Sequence, residues 1–320
     1  MPDQPYCYSI GLRSRFRGIT QRQGMVWRGS AGWAEWSPFL DYQGPELVPW
    51  LRAAEEAAEC GWPAPLRPEI EVNSTIPAVG PERAYEIAQA AGCRTAKVKV
   101  AERGQFLTQD VGRLEAVRDA LGAYGKIRID ANGSWTVDEA VHAVRELDRF
   151  DLEYVEQPCA GVDELADLRR RLVRAGVHVP IAADESIRRA ADPYQVARCE
   201  AADIAVLKVQ PLGGVRACLE IAERIGLPVV VSSALETSIG IRAGLALAAA
   251  LPELPYACGL NTVALLNDDL VPDPLVAVDG MITVGELFVD EPALDRHRPS
   301  KDAQRFWQAR LMQTRELAGG

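Results

Sequence analysis

The chain has 320 residues, of which 48% are hydrophobic and 25% charged. That length suits about two domains of ~100–200 residues, or one barrel with additions. The composition excludes a disordered chain, no run approaches the ~18 apolar residues of a membrane span, and a net charge of −10 makes nucleic acid a poor default partner.

In chain order, Met1–Gln4 lacks the basic patch and apolar run of a secretory signal. Tyr6–Arg28 reads as paired strands around a Gly/Arg-rich turn, and Pro45–Cys60 as an amphipathic helix. From about residue 69, short β-branched runs alternate with helical stretches, the pattern of parallel βα units. Eight strands are predicted: Glu69–Ile76, Thr95–Val100, Lys126–Asp130, Leu152–Glu156, Pro180–Asp184, Ile204–Lys208, Pro228–Ser232 and Tyr256–Leu260. Their starts lie 24 to 31 residues apart, close to one unit of a (β/α)8 barrel. Helices are expected between them, for example over Thr136–Phe150, Val162–Ala175 and Val215–Ile225, and Thr136 with Glu139 forms a capping box. The tail from about Thr262 carries an expected hairpin, Leu275–Val284, turning at Asp279-Gly280.

The seven cysteines include no CxxC pair, and the three histidines show no HxxxH spacing. Reduced, mostly buried thiols in a cytoplasmic protein are expected.

Strands of a parallel barrel are buried on both faces and should be almost wholly apolar. Here Lys97 and Lys99 alternate with Val98 and Val100, so both lysines share the face turned into the barrel. Arg128 and Asp130 alternate in the same way on the next strand. Glu156, Asp184 and Lys208 close the three that follow. Five or six uncompensated buried charges would exceed a typical net stability of ~5–15 kcal/mol. They must therefore neutralise one another, contact a metal or border a wet cavity. Barrel active sites lie at the C-terminal ends of the strands, which are the ends charged here.

Asp130, Glu156 and Asp184 would form a contiguous arc of oxygen ligands suited to a hard cation such as Mg²⁺, with Mn²⁺ as an alternative. Such an ion can grip a substrate carboxylate while the adjacent carbon loses its proton. A lysine near the ion and near a second cation loses basicity and can act as general base. Lys97 would tune Lys99 in this way, and Lys208 would stabilise developing negative charge from across the cavity. The expected chemistry is proton abstraction beside a carboxylate, followed by elimination or reprotonation, on a small-molecule carboxylate substrate.

Each feature has a plainer explanation when taken alone. Lys97 and Lys99 suit a solvated edge strand, Asp130 and Asp184 suit helix N-caps, and Glu156-Gln157-Pro158 suits a strand end. Arg128 reads as an internal counter-ion for the carboxylates, and Asn132 and Glu185 as groups that orient the ligands. Ser232, Ser233 and Gly259 could bind a substrate carboxylate or merely close strand–helix turns. Gly213-Gly214 could be an anion nest, although a tight turn opening the next helix is favoured. The plainer explanations do not account for charges at the same end of five consecutive strands.

The motifs KVKV at 97–100, RIDANGSW at 128–135, YVEQP at 154–158, ADES at 183–186, LKVQPLGG at 207–214 and VVSSALETSIG at 230–240 together resemble the enolase superfamily over nearly the whole chain. The resemblance implies an α/β fold, a modified TIM barrel (β/α)7β with an α+β capping domain formed by the N-terminal segment and C-terminal tail. The expected division is 1–68 for the N-terminal capping region, 69–262 for the barrel and 263–320 for the segment completing the cap. The resemblance also implies Mg²⁺ on Asp130, Glu156 and Asp184, with Lys99 as base and Lys208 opposite. Lysines on the second and sixth strands, and no histidine at the end of the seventh, point to the muconate-lactonising subgroup. Gly32–Phe39 and Cys258–Leu266 are similar to elements of its o-succinylbenzoate synthase family. Part of the arginine-rich 11–32 segment would then be a mobile lid. An N-acylamino acid racemase or dipeptide epimerase on the same scaffold, or a non-catalytic ligand-binding barrel, are the alternatives. The oligomeric state is open at this point.

Overall fold

A computed structural model describes residues 5–319, so the expectation about Met1–Gln4 lies outside the described residues. Strands β1 (Tyr6–Phe16), β2 (Ile19–Arg28) and β3 (Trp33–Trp36) form one antiparallel sheet in that order. The β1–β2 pairing matches the sequence reading, and the tight turn falls at Arg17-Gly18, both with positive φ. A 3₁₀ turn at Gly44–Leu47 leads into a helix over Val48–Glu59, which buries Trp50, Leu51, Ala54 and Ala58 on one face. A helix over Lys301–Gly319, which the sequence reading does not include, packs Trp307 edge-on to Trp36 and completes this second core.

Strands β4 (Glu69–Glu71) and β5 (Ser74–Ile76) replace the single expected first strand. The chain breaks there because Glu69–Glu71 pairs antiparallel with β12 (Met281–Thr283), burying Ile70 and exposing both glutamates. The expected Leu275–Val284 hairpin is corrected by the same pairing. Asp279 and Gly280 do turn, both at positive φ, and Val278 bridges Met281, but the returning strand then leaves for β4.

Strands β6 (Thr95–Lys99), β7 (Lys126–Asp130), β8 (Leu152–Glu156), β9 (Ile181–Ala183), β10 (Ile204–Lys208) and β11 (Val229–Ser232) join β5 in one parallel sheet ordered by sequence. The eighth expected strand, Tyr256–Leu260, is a closing segment and not a strand. It makes one bridge to each edge, Val72–Cys258 and Ser232–Gly259. Asn73 N donates to Cys258 O at 2.9 Å and Gly259 N to Val231 O at 2.8 Å. Gly259 is required by this approach, since a Cβ there would lie 2.6 Å from Ser232 Oγ. Helices over Val137–Leu147, Val162–Arg174 and Val215–Ile225 cover the sheet. Thr136 and Glu139 form the expected reciprocal cap, with Thr136 N donating to Glu139 Oε2 at 2.8 Å and Glu139 N to Thr136 Oγ1 at 3.3 Å. Gly213-Gly214 opens the Val215 helix, and the first amide of that helix donates to Glu56 Oε2 at 2.6 Å, so a carboxylate of the chain itself takes the anion position. Among the described residues, no helix is long and apolar enough to cross a membrane.

Candidate active site

The alternation read from KVKV is realised on β6, where Val98 packs in the barrel-wall core and Lys97 and Lys99 turn the other way. Lys97 Nζ donates to Asp130 Oδ2 at 2.9 Å and to Glu156 Oε1 at 2.8 Å. Lys99 Nζ donates to the same Asp130 oxygen at 2.5 Å and to Asn132 Oδ1 at 2.6 Å. Four strands round the barrel, Lys208 Nζ donates to Asp184 Oδ2 at 2.6 Å. The three lysines and three carboxylates are all buried.

The fields at these groups differ. Burial works against the charge on Lys97, but Asp130 and Glu156 outweigh it and hold its pKa well above the ordinary value. Burial and the nearby Lys97 charge push Lys99 below its ordinary value despite Asp130. Burial is again opposed at Asp130, where the two lysines hold the carboxyl well below the usual range. Burial and then the Asp130 charge raise Glu156. Burial and then Glu185 raise Asp184 to about 6, against the pull of Lys208.

The supporting residues are close by. Asn132 sits at positive φ, its amide N donates to Asp130 Oδ1 at 3.0 Å, and its Nδ2 donates to Glu185 Oε1 at 3.2 Å. Asp184 does sit at the N-cap of a short helix, Glu185–Arg188, but its side chain makes no cap hydrogen bond. Arg128 departs from expectation. Its guanidinium reaches Glu153 at 2.5 Å and the Ala257 carbonyl at 2.7 Å and lies over the Tyr154 ring, so its counter-ion is Glu153 and not a strand-end carboxylate.

Several contributors escaped the sequence reading. Arg188 Nε donates to Asp184 Oδ1 at 2.8 Å, and its Nη1 donates to Tyr42 Oη of the cap. Gln157 Oε1 accepts from the amides of Asp184 and Ser186, tying the Glu156 loop to the next strand end. Its place in YVEQP was the available signal. No local pattern marked Arg188.

Lys97, Lys99, Asn132, Lys208, Ser232, Ser233 and Gly259 border one cavity of about 20 Å³, room for about one water molecule. The tip of the β1–β2 hairpin closes it, with Phe16 and Arg17 in its wall alongside Phe39. The Arg17 guanidinium lies 4.4 Å from the Phe39 ring centroid, and Lys99 Nζ 5.3 Å from that of Phe16. Of the arginines in the 11–32 segment, Arg17 is thus the one in the pocket wall. Arg13 Nε instead donates to the Leu266 carbonyl at 2.8 Å. Ser233 Oγ lies 2.7 Å from Thr262 Oγ1, and Ser232 abuts Gly259.

Among the described residues, no group of three or more His, Cys, Asp or Glu side chains is gathered to hold an ion, because each strand-end carboxylate is turned onto an ammonium or guanidinium group. The donor chemistry nonetheless fits a divalent cation. The three carboxylates offer only hard oxygens, and Glu156 Oε2 is buried with no hydrogen-bond partner, a costly state that an ion would relieve.

Residues 81–288 match the enolase C-terminal domain-like family, and 7–58 match the enolase N-terminal domain-like family. The chain is 61% identical to an o-succinylbenzoate synthase of Thermobifida fusca over 308 residues, 96% of this chain and 95% of the relative. It is 52% identical to an o-succinylbenzoate synthase of Mycolicibacterium smegmatis over 93% of this chain and 91% of the relative. Among solved structures, muconate lactonizing enzyme from Pseudomonas fluorescens superposes with a TM-score of 0.79 at 20% identity, covering 93% of this chain and 98% of that one. The L-Ala-D/L-Glu epimerase of Bacillus subtilis does so with a TM-score of 0.74 at 23% identity, covering 90% and 97%. At such identities the structural likeness speaks for the fold alone.

Proposed function

The chain belongs to the enolase superfamily, and from that premise we propose that it catalyses the o-succinylbenzoate synthase reaction. This is the syn dehydration of 2-succinyl-6-hydroxy-2,4-cyclohexadiene-1-carboxylate to o-succinylbenzoate in menaquinone synthesis. Relatives aligned over more than nine-tenths of their own length carry that activity in their names. The feature of this chain that most directly supports it is the pairing of Lys99 and Lys208 on facing walls of one closed pocket.

Asp130, Glu156 and Asp184 would hold a divalent cation, Mg²⁺ in our reading with Mn²⁺ able to replace it. Bound there, it would neutralise the ring carboxylate and the charge that accumulates as the adjacent carbon is deprotonated. Lys99, lowered by burial and by Lys97, takes the proton from the carbon beside that carboxylate. Lys208 donates from the opposite wall to the enediolate oxygens. The C–O bond to the ring hydroxyl then breaks, Lys99 returns the proton to the departing oxygen on the same face, and water leaves as the ring becomes aromatic. Arg17, Ser232, Ser233 and the backbone at Gly259 are our candidates for the distal succinyl carboxylate, because they line the pocket and hold no strand-end carboxylate.

We keep 1–68 and 263–320 for the cap and 69–262 for the barrel as our division; the two apolar cores cross it, since Ala53 and Ile282 join the barrel core and Ala234, Leu235 and Ile239 join the cap core. Seven unpaired cysteines suit a reducing, cytoplasmic setting. The deciding experiment follows the cyclohexadiene substrate spectroscopically, with and without chelator. Turnover that stops on chelation and returns with Mg²⁺ supports the reading, whereas no turnover with the metal present removes it.

A further inference from the structure

Two barrel segments, those following β10 and β11, meet the cap beside the pocket, and one hydrogen-bonded cluster of three cap residues ties them together: Ser37 holds the first, and Arg22 and Glu35 hold the second. Arg22 on β2 is 2% exposed. Its Nε donates to the Leu235 carbonyl at 2.8 Å and its Nη2 to the Ala234 carbonyl at 3.2 Å, both in the segment following β11. The same Nη2 donates to Ser37 Oγ at 2.9 Å and also to the Ser37 carbonyl. Ser37 in turn holds the segment following β10, since its amide donates to Gln210 Oε1 at 3.1 Å and Gln210 Nε2 donates to its Oγ at 3.3 Å. Gln210 lies two residues beyond Lys208.

Glu35 on β3 completes the cluster. It accepts from Tyr8 Oη at 2.7 Å, Ser37 Oγ at 2.6 Å, Thr237 Oγ1 at 2.5 Å and the Gly240 amide at 3.1 Å. Its carboxylate thereby sits on the first turn of the helix over Ser238–Ala250, where a negative charge is favoured.

Buried ionic groups are an inefficient way to glue two cores. Apolar side chains of equal volume often do as well or better, and removing one partner leaves an expensive orphan. What the fork of an arginine adds is direction, because it fixes several acceptors at once. Here the acceptors are the backbone of Ala234 and Leu235, which line the pocket, and the side chain tied to the loop beside Lys208. The geometry points to Arg22, Glu35 and Ser37 as positioning residues of the reaction, through which the cap sets the Ala234–Leu235 wall and the aim of Lys208. This rests on the reading of the pocket as the place where the cyclohexadiene is deprotonated.

The test compares the wild-type protein with Ser37→Ala, Arg22→Lys and Glu35→Gln. Ser37→Ala removes one hydroxyl and should fold. We expect its kcat to fall about tenfold while calorimetric Mg²⁺ affinity stays within twofold, because the three carboxylates are untouched. Arg22→Lys keeps the charge but loses the fork, and should lose more in kcat than Ser37→Ala. Variants that fold and retain kcat and KM within twofold would overturn the inference. If the wild-type protein does not turn over the cyclohexadiene, the functional reading falls, and the clamp is judged by hydrogen exchange at residues 233–236. Faster exchange there in all three variants supports it, and unchanged exchange overturns it.

Discussion

Lys97 and Lys99, two residues apart on β6, place both ammonium groups on one oxygen of Asp130, at 2.9 and 2.5 Å. Their pKa values are driven apart, because Lys97 also holds Glu156 while Lys99 is left with burial and a neighbouring cation. Removing the Lys97 charge should relax Lys99 upward. In Lys97→Met the acid limb of the kcat/KM profile, where the base must be neutral, is expected to move to higher pH. A limb that stays in place would show that Lys97 does not tune the base.

Lys99→Ala should remove general-base catalysis, a loss of about 10²–10⁴-fold in kcat, with Mg²⁺ binding retained by calorimetry. Wild-type turnover in this variant would take Lys99 out of that role. Asp184→Ala should instead weaken the ion, and it also strands Lys208 and Arg188, both bonded to that carboxylate. An unchanged Mg²⁺ affinity in Asp184→Ala would remove Asp184 from the ligand set.

Arg17 brings a further positive charge to a pocket wall that already holds three lysines. Its charge also disfavours protonation of Arg188, after burial, the larger cause. Such a site calls for an anion beyond the ring carboxylate. A hydrogen bond to a charged partner is worth about 1.5–3 kcal/mol, so Arg17→Ala should raise KM by about ten- to a hundredfold with a smaller change in kcat. An unaltered KM would separate Arg17 from the substrate.

Glu236, next in the chain to the pocket-lining Leu235, is buried and accepts from the Ala234 amide at 2.6 Å. Burial and then Glu35 raise its carboxyl to about 7, against the pull of Arg22. Well below its ordinary pKa of 4.5, folded and unfolded chains both hold the proton and the group makes stability no steeper with pH. Between 4.5 and about 7 the unfolded chain releases it first, so stability falls with rising pH, by about 3 kcal/mol in all. Glu236→Gln should therefore gain in Tm over the wild type as pH goes from 5 to 8. A Tm difference that is constant over that range would contradict the assignment.

Charge placement was readable in advance because a two-residue alternation leaves lysines no other face once the valines pack. For the same reason Asp130, Glu156, Asp184 and Lys208 could be set at one rim from their place at strand ends. What escaped depended on partners far along the chain. Arg128 suited the strand-end carboxylates, but Glu153, one strand away, took it. The run Tyr256–Leu260 carries strand-like residues, yet each edge offers it a single bridge. Asp279-Gly280 announced a turn correctly, but the choice of β4 as partner is a tertiary matter. Nothing local distinguished Arg17 from Arg13 or Arg22, whose fates were decided by where the hairpin tip lands.

The wall of the pocket is finished by the far end of the chain. Arg310 donates to the carbonyls of Pro38, Phe39 and Tyr42, at 3.0, 2.8 and 2.7 Å, and so holds the segment carrying the ring over which Arg17 stacks. A nascent polypeptide emerging from the ribosome would thus have made every lysine and carboxylate of the rim about a hundred residues before it could seat Phe39. Catalytic competence would come only once that further stretch had been made.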